Sequence, residues 1–415
     1  MNKRLSLAIL AALVCAGAMA QAFEKHFSDS TLRIDYIFSG NAQTQTIAVD
    51  QYNVMPHWHG KRKHLDEVPV QGNGQIIVQD PRTKQALYRN SFSTLFQEWL
   101  SYPEAKTDQT KSFENVFLVP MPKDTVDITL QLMDNHHRVV TSLTQRFSPR
   151  DILIRRIGYH NVTPYATLLQ AKDTTNCIHI AFVAEGYRPE EMPTFLEDAQ
   201  EATSALFSHE PFKSMKNRFN VIAVKSPSKE SGTSVPSKGI WKHTALSSHF
   251  DTFYSARYLT TLRLKTLHDW LAGTPYEHII ILVNTAEYGG GGILNSYNLA
   301  MAHHAYFKPV VVHEFGHSFA GLGDEYAYEE EQIPMYPPDV EPWEKNITTQ
   351  KHFHGKWENL IGGSDPKVGF YEGAGYSLKG VYRAYPDCRM RTNTYPDFCP
   401  ACRQAIAELI DFYTN

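Results

Sequence analysis

The chain has 415 residues, enough for two or three domains at about 150 residues each, and its 42% hydrophobic and 20% charged content excludes a disordered or collagen-like polymer. A formal charge of -4 offers no polybasic field for phosphate backbones or anionic lipid, so nucleic acid is not an expected partner.

Residues 1–20 read as a secretory leader: Lys3 and Arg4, an apolar run from Leu5 to Ala16, then Ala18-Met19-Ala20. The run is too short to span a bilayer, and no later stretch reaches the ~18 apolar residues a transmembrane segment needs. The expectation is an exported chain in the periplasm, at the cell surface or in the medium. Leu13 and Val14 stand before Cys15 where lipid attachment wants small residues.

From Thr31 to Phe147 the pattern has the period of strands, as in Leu32-Arg33-Ile34-Asp35-Tyr36-Ile37 and Thr125-Val126-Asp127-Ile128-Thr129-Leu130. Turn signals at Gly72-Asn73-Gly74 and Asp80-Pro81 punctuate it. An antiparallel β-sandwich over residues 21–148 is expected, supporting or targeting rather than doing chemistry. His57 and His59, with His64 nearby, would share a strand face and offer imidazoles to a metal. No carboxylate is spaced to join them, so they are expected to be histidines of a wet strand end or loop.

Ser148-Pro149-Arg150 marks the boundary, because proline disfavours helix in the residue before it and the pattern changes beyond. Residues 149–415 form the second expected domain. Ile178 to Val183, Phe219 to Val224 and Ile279 to Val283 are continuous apolar runs suited to buried strands. A helix is expected from near Pro189, with Phe195, Leu196, Ala199 and Ala202 on its apolar face, and another through Leu259, Leu262, Leu267 and Leu271. Strand, helix, strand, helix, strand predicts a mixed, mostly parallel twisted sheet.

The segment Val310 to Tyr326 carries the chemistry. Residues four apart lie on one helix face, so His313 and His317 can aim both imidazoles at one ion. Glu314 sits beside them without ligand spacing, where it can take a proton from a water at that ion. Val312, Phe315, Phe319 and Leu322 give a separate packing stripe. Gly316 and three consecutive valines run against helix propensity, a local breach expected where function overrides packing. Pro309 suits the first helical turn, and Gly321 suits the left-handed residue that ends the helix and lets the chain return. Catalytic zinc usually takes three protein ligands and keeps one position open. Asp324, seven residues past His317, is the expected third; Glu325 is its alternative, and Glu341, Glu344, His352 and His354 are more remote.

Gly289, Gly290, Gly291 and Gly292 precede this segment, and glycine allows close approach of backbone to ligand, so an extended peptide is expected to pair there unless the run is merely a mobile turn. Tyr382 and Tyr385 are weak candidates for stabilising an oxyanion. In an oxidising compartment the four cysteines Cys177, Cys388, Cys399 and Cys402 favour at least one disulfide, within the cluster from Cys388 to Cys402, over a zinc knuckle.

The run from His313 to Tyr326 resembles that of the M64 peptidases, the family named for a bacterial immunoglobulin A peptidase, within the zincins and close to the metzincins. Ala184-Glu185-Gly186-Tyr187, Ser231-Gly232-Thr233, Tyr288 to Gly292, Cys388-Arg389-Met390-Arg391 and Phe398-Cys399-Pro400-Ala401-Cys402 extend the likeness over nearly the whole mature chain. The resemblance implies a zinc peptidase with His313 and His317 as ligands and Glu314 as general base. It also makes Met390 similar to the methionine that metzincins place beneath the metal. The metzincin glycine and third histidine positions are Ala320 and Gly323 here; Gly321 and Asp324 follow one residue later.

The expected protein is therefore α+β: an N-terminal β-sandwich followed by a zincin-like α/β catalytic domain. Its expected activity is that of a zinc endopeptidase with one catalytic ion, acting on protein or peptide. The sequence sets no oligomeric state. The rival readings are a zinc amidase acting on cell-wall peptides and a non-catalytic zinc-holding envelope protein.

Overall fold

A computed structural model describes residues 23–329, 335–351 and 353–415; the expected leader and His352 lie outside them. Among the described residues no helix is long and apolar enough to cross a membrane.

The alternating sequence of the first third folds into seven strands: β1 (Phe27–Gly40), β2 (Gln45–Pro56), β3 (Gly74–Gln79), β4 (Ala86–Phe92), β5 (Lys111–Pro122), β6 (Val126–Met133) and β7 (Val139–Phe147). A short β8 (Arg155–Arg156) follows and pairs parallel with β2. They form two four-stranded sheets, ordered β5-β1-β2-β8 and β4-β3-β6-β7. Because successive side chains point to opposite faces, Leu32, Ile34, Tyr36 and Phe38 of β1 all reach one core, where they meet Ile76 and Val78 of β3 and Ile128, Leu130 and Leu132 of β6. Between β4 and β5 lies the short helix α1 (Leu95–Trp99), capped by the Thr94 hydroxyl on the Gln97 N–H.

The remainder is built on a six-stranded sheet of β9 (Tyr165–Leu169), β10 (Ile178–Glu185), β11 (Phe219–Val224), β12 (His278–Val283), β13 (Gly290–Ile293) and β14 (Tyr297–Met301), ordered β13-β14-β12-β10-β11-β9. The three apolar runs are its parallel centre, with β10 between β11 and β12 and every residue of β10 buried. Burial on both faces explains why these strands read as continuous rather than alternating. Both edge strands run antiparallel to their neighbours.

Three helices cover one face: α2 (Met192–Leu206), α4 (Phe307–Ala320) and α5 (Pro400–Thr414), through Phe195, Phe315, Phe319, Ile406 and Ile410. The opposite face receives α3 (Leu264–Leu271). This helix is shorter than its leucine spacing predicts. Leu259 instead donates its N–H to the Gly290 carbonyl, and Thr260 exchanges backbone hydrogen bonds with His249, which commits that stretch to extended structure.

One continuous apolar cluster joins α3 and this face of the sheet to the core of the first two sheets. Arg33 of β1, 1% exposed, binds Asp35 at 2.7 Å and reaches Asp269 of α3 at 2.6 Å. A charge this buried needs paired, hydrogen-bonded partners, and Asp35 supplies two of them. A small sheet of β15 (Ile347–Thr348), β16 (Tyr371–Ala374) and β17 (Ser377–Arg383) meets the segment that follows α4, with Ile347 against Gly323 and the Gly375 N–H donating to the Asp324 carbonyl.

Candidate active site and metal centre

Helix α4 ends as its sequence suggests. Gly321 takes the left-handed conformation at φ 57° and donates to the His317 carbonyl, so the chain turns back toward the histidines. His313 Nε2 and His317 Nε2 are 3.0 Å apart, and Asp324 Oδ1 lies 3.2 and 3.3 Å from them. His313 Nδ1 donates to the Arg389 carbonyl at 3.0 Å and His317 Nδ1 to the Leu322 carbonyl at 2.5 Å. A carbonyl only accepts, so these bonds fix the tautomer and turn each Nε2 lone pair inward. Asp324 Oδ1 is buried without a hydrogen-bond donor.

Three lone-pair atoms thus face one another with no proton between neutral rings. Such an arrangement is repulsive unless a cation sits among them, and the 3.0–3.3 Å separations suit the edges of a tetrahedron with bonds of about 2.0–2.1 Å. The residues present fit a zinc-like ion. Burial works to lower His317, yet the Asp324 carboxylate raises it to about 9, so without a metal ion the cluster takes a proton on His317 as its positive charge, and a bound ion would replace that proton.

Asp324 is itself held. Its Oδ2 accepts a 2.8 Å hydrogen bond from the Tyr376 hydroxyl, and its carbonyl accepts from Gly375 N–H at 2.8 Å. Tyr326 stacks its ring on His313 at 6.5 Å, while the Arg257 guanidinium lies over Tyr326 at 5.6 Å. Tyr376 belongs to the β16–β17 turn and nothing near the histidines in sequence announces it.

Glu314 stands against the glycine run. A Cβ on Gly290 would come within 2.5 Å of Glu314 Oε1, and one on Gly292 within 2.6 Å of the Glu314 carbonyl and 2.9 Å of His317 Cβ. These two glycines are needed because strand β13 presses directly on the helix that carries the histidines. Gly292→Ala is expected to destabilise the fold by about 1–3 kcal/mol, since the obstructing atom is backbone and cannot rotate away; an unchanged thermal midpoint would refute it. The outer edge of β13 is engaged at Gly290, whose N–H donates to Arg257 and whose carbonyl accepts from Leu259. Gly316 has its reason on the other side of α4, where a Cβ would meet Met390 Sδ at 2.7 Å. Met390 therefore packs against the histidine-bearing helix.

Other sequence candidates fall elsewhere. Glu325, adjacent to Asp324, turns away and accepts from Asn346 at 2.9 Å and from the Cys402 thiol at 3.1 Å. Glu341 pairs with Lys356 and His354 is exposed beside Glu358, while Glu344 lines the cleft but accepts from Tyr336 and does not join the histidine–aspartate group. Tyr382 lies in β17 opposite Thr348, and Tyr385 donates to Asp365, so neither lines the cleft and both oxyanion candidates are corrected. His57 pairs with Asp29 and His64 with Glu67, while His59 packs on His179; they form no metal-binding group among the described residues. The expected disulfide is also corrected: all four described cysteines are free, and Cys388 Sγ lies 3.7 Å from Cys402 Sγ against about 2.05 Å for a bond.

The histidines and Glu314 open into a cleft of about 1260 Å³, and part of its wall comes from the first 148 residues. Gln97 and Glu98 of α1, Asn73 and His137 all line it, so that portion is not remote from the chemistry. Glu98 accepts a hydrogen bond from the Tyr258 hydroxyl at 2.5 Å. Burial pushes its carboxyl up to about 7, the Tyr258 bond opposes this, and Asp324 adds to it. An acid whose folded value is raised binds more protons in the native than in the unfolded state between those two values. Its contribution is full below the unfolded value of 4.5 and is lost as pH rises through about 7. Glu98→Gln, free of this loss, is expected to gain in thermal midpoint over the parent as pH goes from 5 to 8. A difference that is flat or shrinks with pH would contradict this.

No curated protein matches the chain significantly. Residues 22–144 match the family domain described as Peptidase M64 N-terminus, and residues 166–367 and 362–410 match the one described as IgA Peptidase M64. Since these matches cover well over half of the sequence, and the cleft they enclose contains a ligand set suited to a cation, the chain belongs to the M64 peptidase family and is a metallopeptidase.

Proposed function

We propose that the chain is an exported zinc-dependent endopeptidase in which His313, His317 and Asp324 hold the ion and Glu314 is the general base. Its parts are read as a leader over 1–20, a β-sandwich over 21–148 and a zincin-like catalytic domain over 149–415. The observation that carries the reading is the convergence of three inward-facing ligand atoms beside Glu314, with both imidazoles locked by backbone carbonyls.

When bound, a zinc ion supplies Lewis acidity that polarises the scissile carbonyl and acidifies water. The Glu314 carboxylate accepts a proton from the attacking water as its oxygen joins the carbonyl carbon. It then delivers that proton to the amine nitrogen as the C–N bond breaks. Tyr376 fixes Asp324, and the two backbone carbonyls fix the imidazoles, so no reorientation is required as charge develops. The glycine strand supports an extended substrate: with the outer edge taken at Gly290, pairing falls to Gly292, the next residue of β13 whose backbone alternation turns outward, away from β14. Export is supported by Lys3, Arg4 and the apolar run to Ala16.

The test is incubation of the mature protein with a diverse peptide mixture, with and without a chelator, and mapping of cuts by mass spectrometry. Internal cuts abolished by chelator and restored by zinc are expected. Cleavage indifferent to chelator, or confined to small amides, would overturn the reading.

A further inference from the structure

Beneath the candidate active site lies a second cluster of ligand-type side chains. Cys388, Cys399, Cys402 and Glu325 are all buried, and one ligand atom from each lies within 4.8 Å of all the others. Cys388 Sγ and Cys402 Sγ are 3.7 Å apart, and Glu325 Oε1 is 3.1 Å from Cys402 Sγ and 3.8 Å from Cys399 Sγ. A tetrahedral site with zinc–sulfur bonds of about 2.3 Å and a zinc–oxygen bond of about 2.0 Å has edges of about 3.8 Å between sulfurs and about 3.5 Å between sulfur and oxygen. The cluster is already near that shape.

We propose that Cys388, Cys399, Cys402 and Glu325 bind a second zinc ion, structural in role and closed to substrate.

Several independent features support it. Glu325 Oε2 is buried without a hydrogen-bond partner, a cost that an ion at the carboxylate would remove. Asn346 orients that carboxylate through its Nδ2, and holds its own place by two 2.8 Å hydrogen bonds with the Gly323 backbone. Cys399 stands at the N-cap position of helix α5 with Pro400 in its first turn; burial raises the Cys402 thiol, and the helix N-terminus from which Cys399 and Cys402 project works against that by favouring thiolate. The Cys399 N–H donates to Cys388 Sγ at 3.2 Å, which also stabilises negative sulfur. Four protein ligands leave no open position, the mark of a structural rather than a catalytic zinc.

Such an ion would join the two segments that shape the active centre. Glu325 follows Asp324 directly, and its N–H donates to the Met390 carbonyl at 2.8 Å. Cys388 precedes Arg389, whose carbonyl holds His313 Nδ1, and Met390, which packs on Gly316. One ion would therefore fix the return of the third candidate ligand relative to the loop that aims the first histidine.

Zinc content of the full mature chain, purified from zinc-supplemented culture and dialysed, provides the test. About two equivalents are expected in the parent and about one in Cys399→Ser/Cys402→Ser; His313→Ala/His317→Ala should also keep about one, at the cysteines. Because the cysteine variant can fail to fold, the parent is also loaded with cobalt, which should give a thiolate-to-metal charge-transfer band that persists in the histidine variant. Alkylation after denaturation with chelator should find all three thiols free. The proposal is overturned by zinc-free histidine variants, by cobalt spectra without the thiolate band, or by a disulfide among the three cysteines. A histidine variant that keeps both ions would instead refute the active-site ligands and leave the cysteine site standing.

Discussion

Glu314→Gln is expected to keep its metal and lose about 10²- to 10⁴-fold in turnover, the usual contribution of a positioned acid-base group. The substitution preserves size against Gly290, where the carboxylate already occupies the only space a Cβ would take. It therefore removes the proton acceptor with little change in packing. Burial raises the Glu314 carboxyl above its ordinary range, the nearby imidazoles His313 and His317 pull it back, and Asp324 pushes it up again. Such a group accepts a proton more readily than an exposed glutamate. Metal content and cleavage rate should be read on the same preparation. A variant cleaving within a few-fold of the parent defeats the base assignment, and one that has lost metal makes Glu314 a structural or ligating residue.

Asp324→Ala should have the largest effect on metal affinity at the active centre. It leaves two imidazoles and removes the carboxylate oxygen that faces both Nε2 atoms. Tyr376→Phe keeps the carboxylate and deletes its 2.8 Å hydrogen bond, for which about a 10- to 100-fold loss of affinity or activity is expected. Competition against a fluorescent zinc chelator orders the series: parent tightest, Tyr376→Phe intermediate, Asp324→Ala weakest. Glu325→Ala should leave the histidine-bound ion closer to the parent than Asp324→Ala does, because its carboxylate points to the cysteines. The reverse order for Asp324 and Glu325 would exchange their roles.

The grouping of His313, Glu314 and His317 was legible because it is local. A helix of 3.6 residues per turn places four-apart side chains together whatever surrounds it, and Gly321 needs only its own backbone freedom to end that helix. The buried parallel strands were legible for a similar reason, since burial on both faces leaves a continuous apolar run. Asp324 was preferred from the short return after Gly321, and the structure does place it with the histidines and turn Glu325 away.

What the sequence left open was decided by contacts between distant segments. Tyr376 reaches Asp324 across 52 residues, Tyr258 reaches Glu98 across 160, and the Arg389 carbonyl fixes a histidine 76 residues earlier. No periodicity encodes such pairings, because each depends on which strands lie side by side. The same holds for the cysteines: their spacing suggests a disulfide wherever the compartment is oxidising, but folding brings Glu325 among them and gives the group the donor set of a metal site. The first 148 residues also became part of the cleft only through tertiary packing, as α1 lies against the segment that flanks the glycine strand. Local backbone geometry thus determined which residues form the helix and its two inward imidazoles, while the tertiary fold chose their carboxylate partner, fixed its orientation and built the walls.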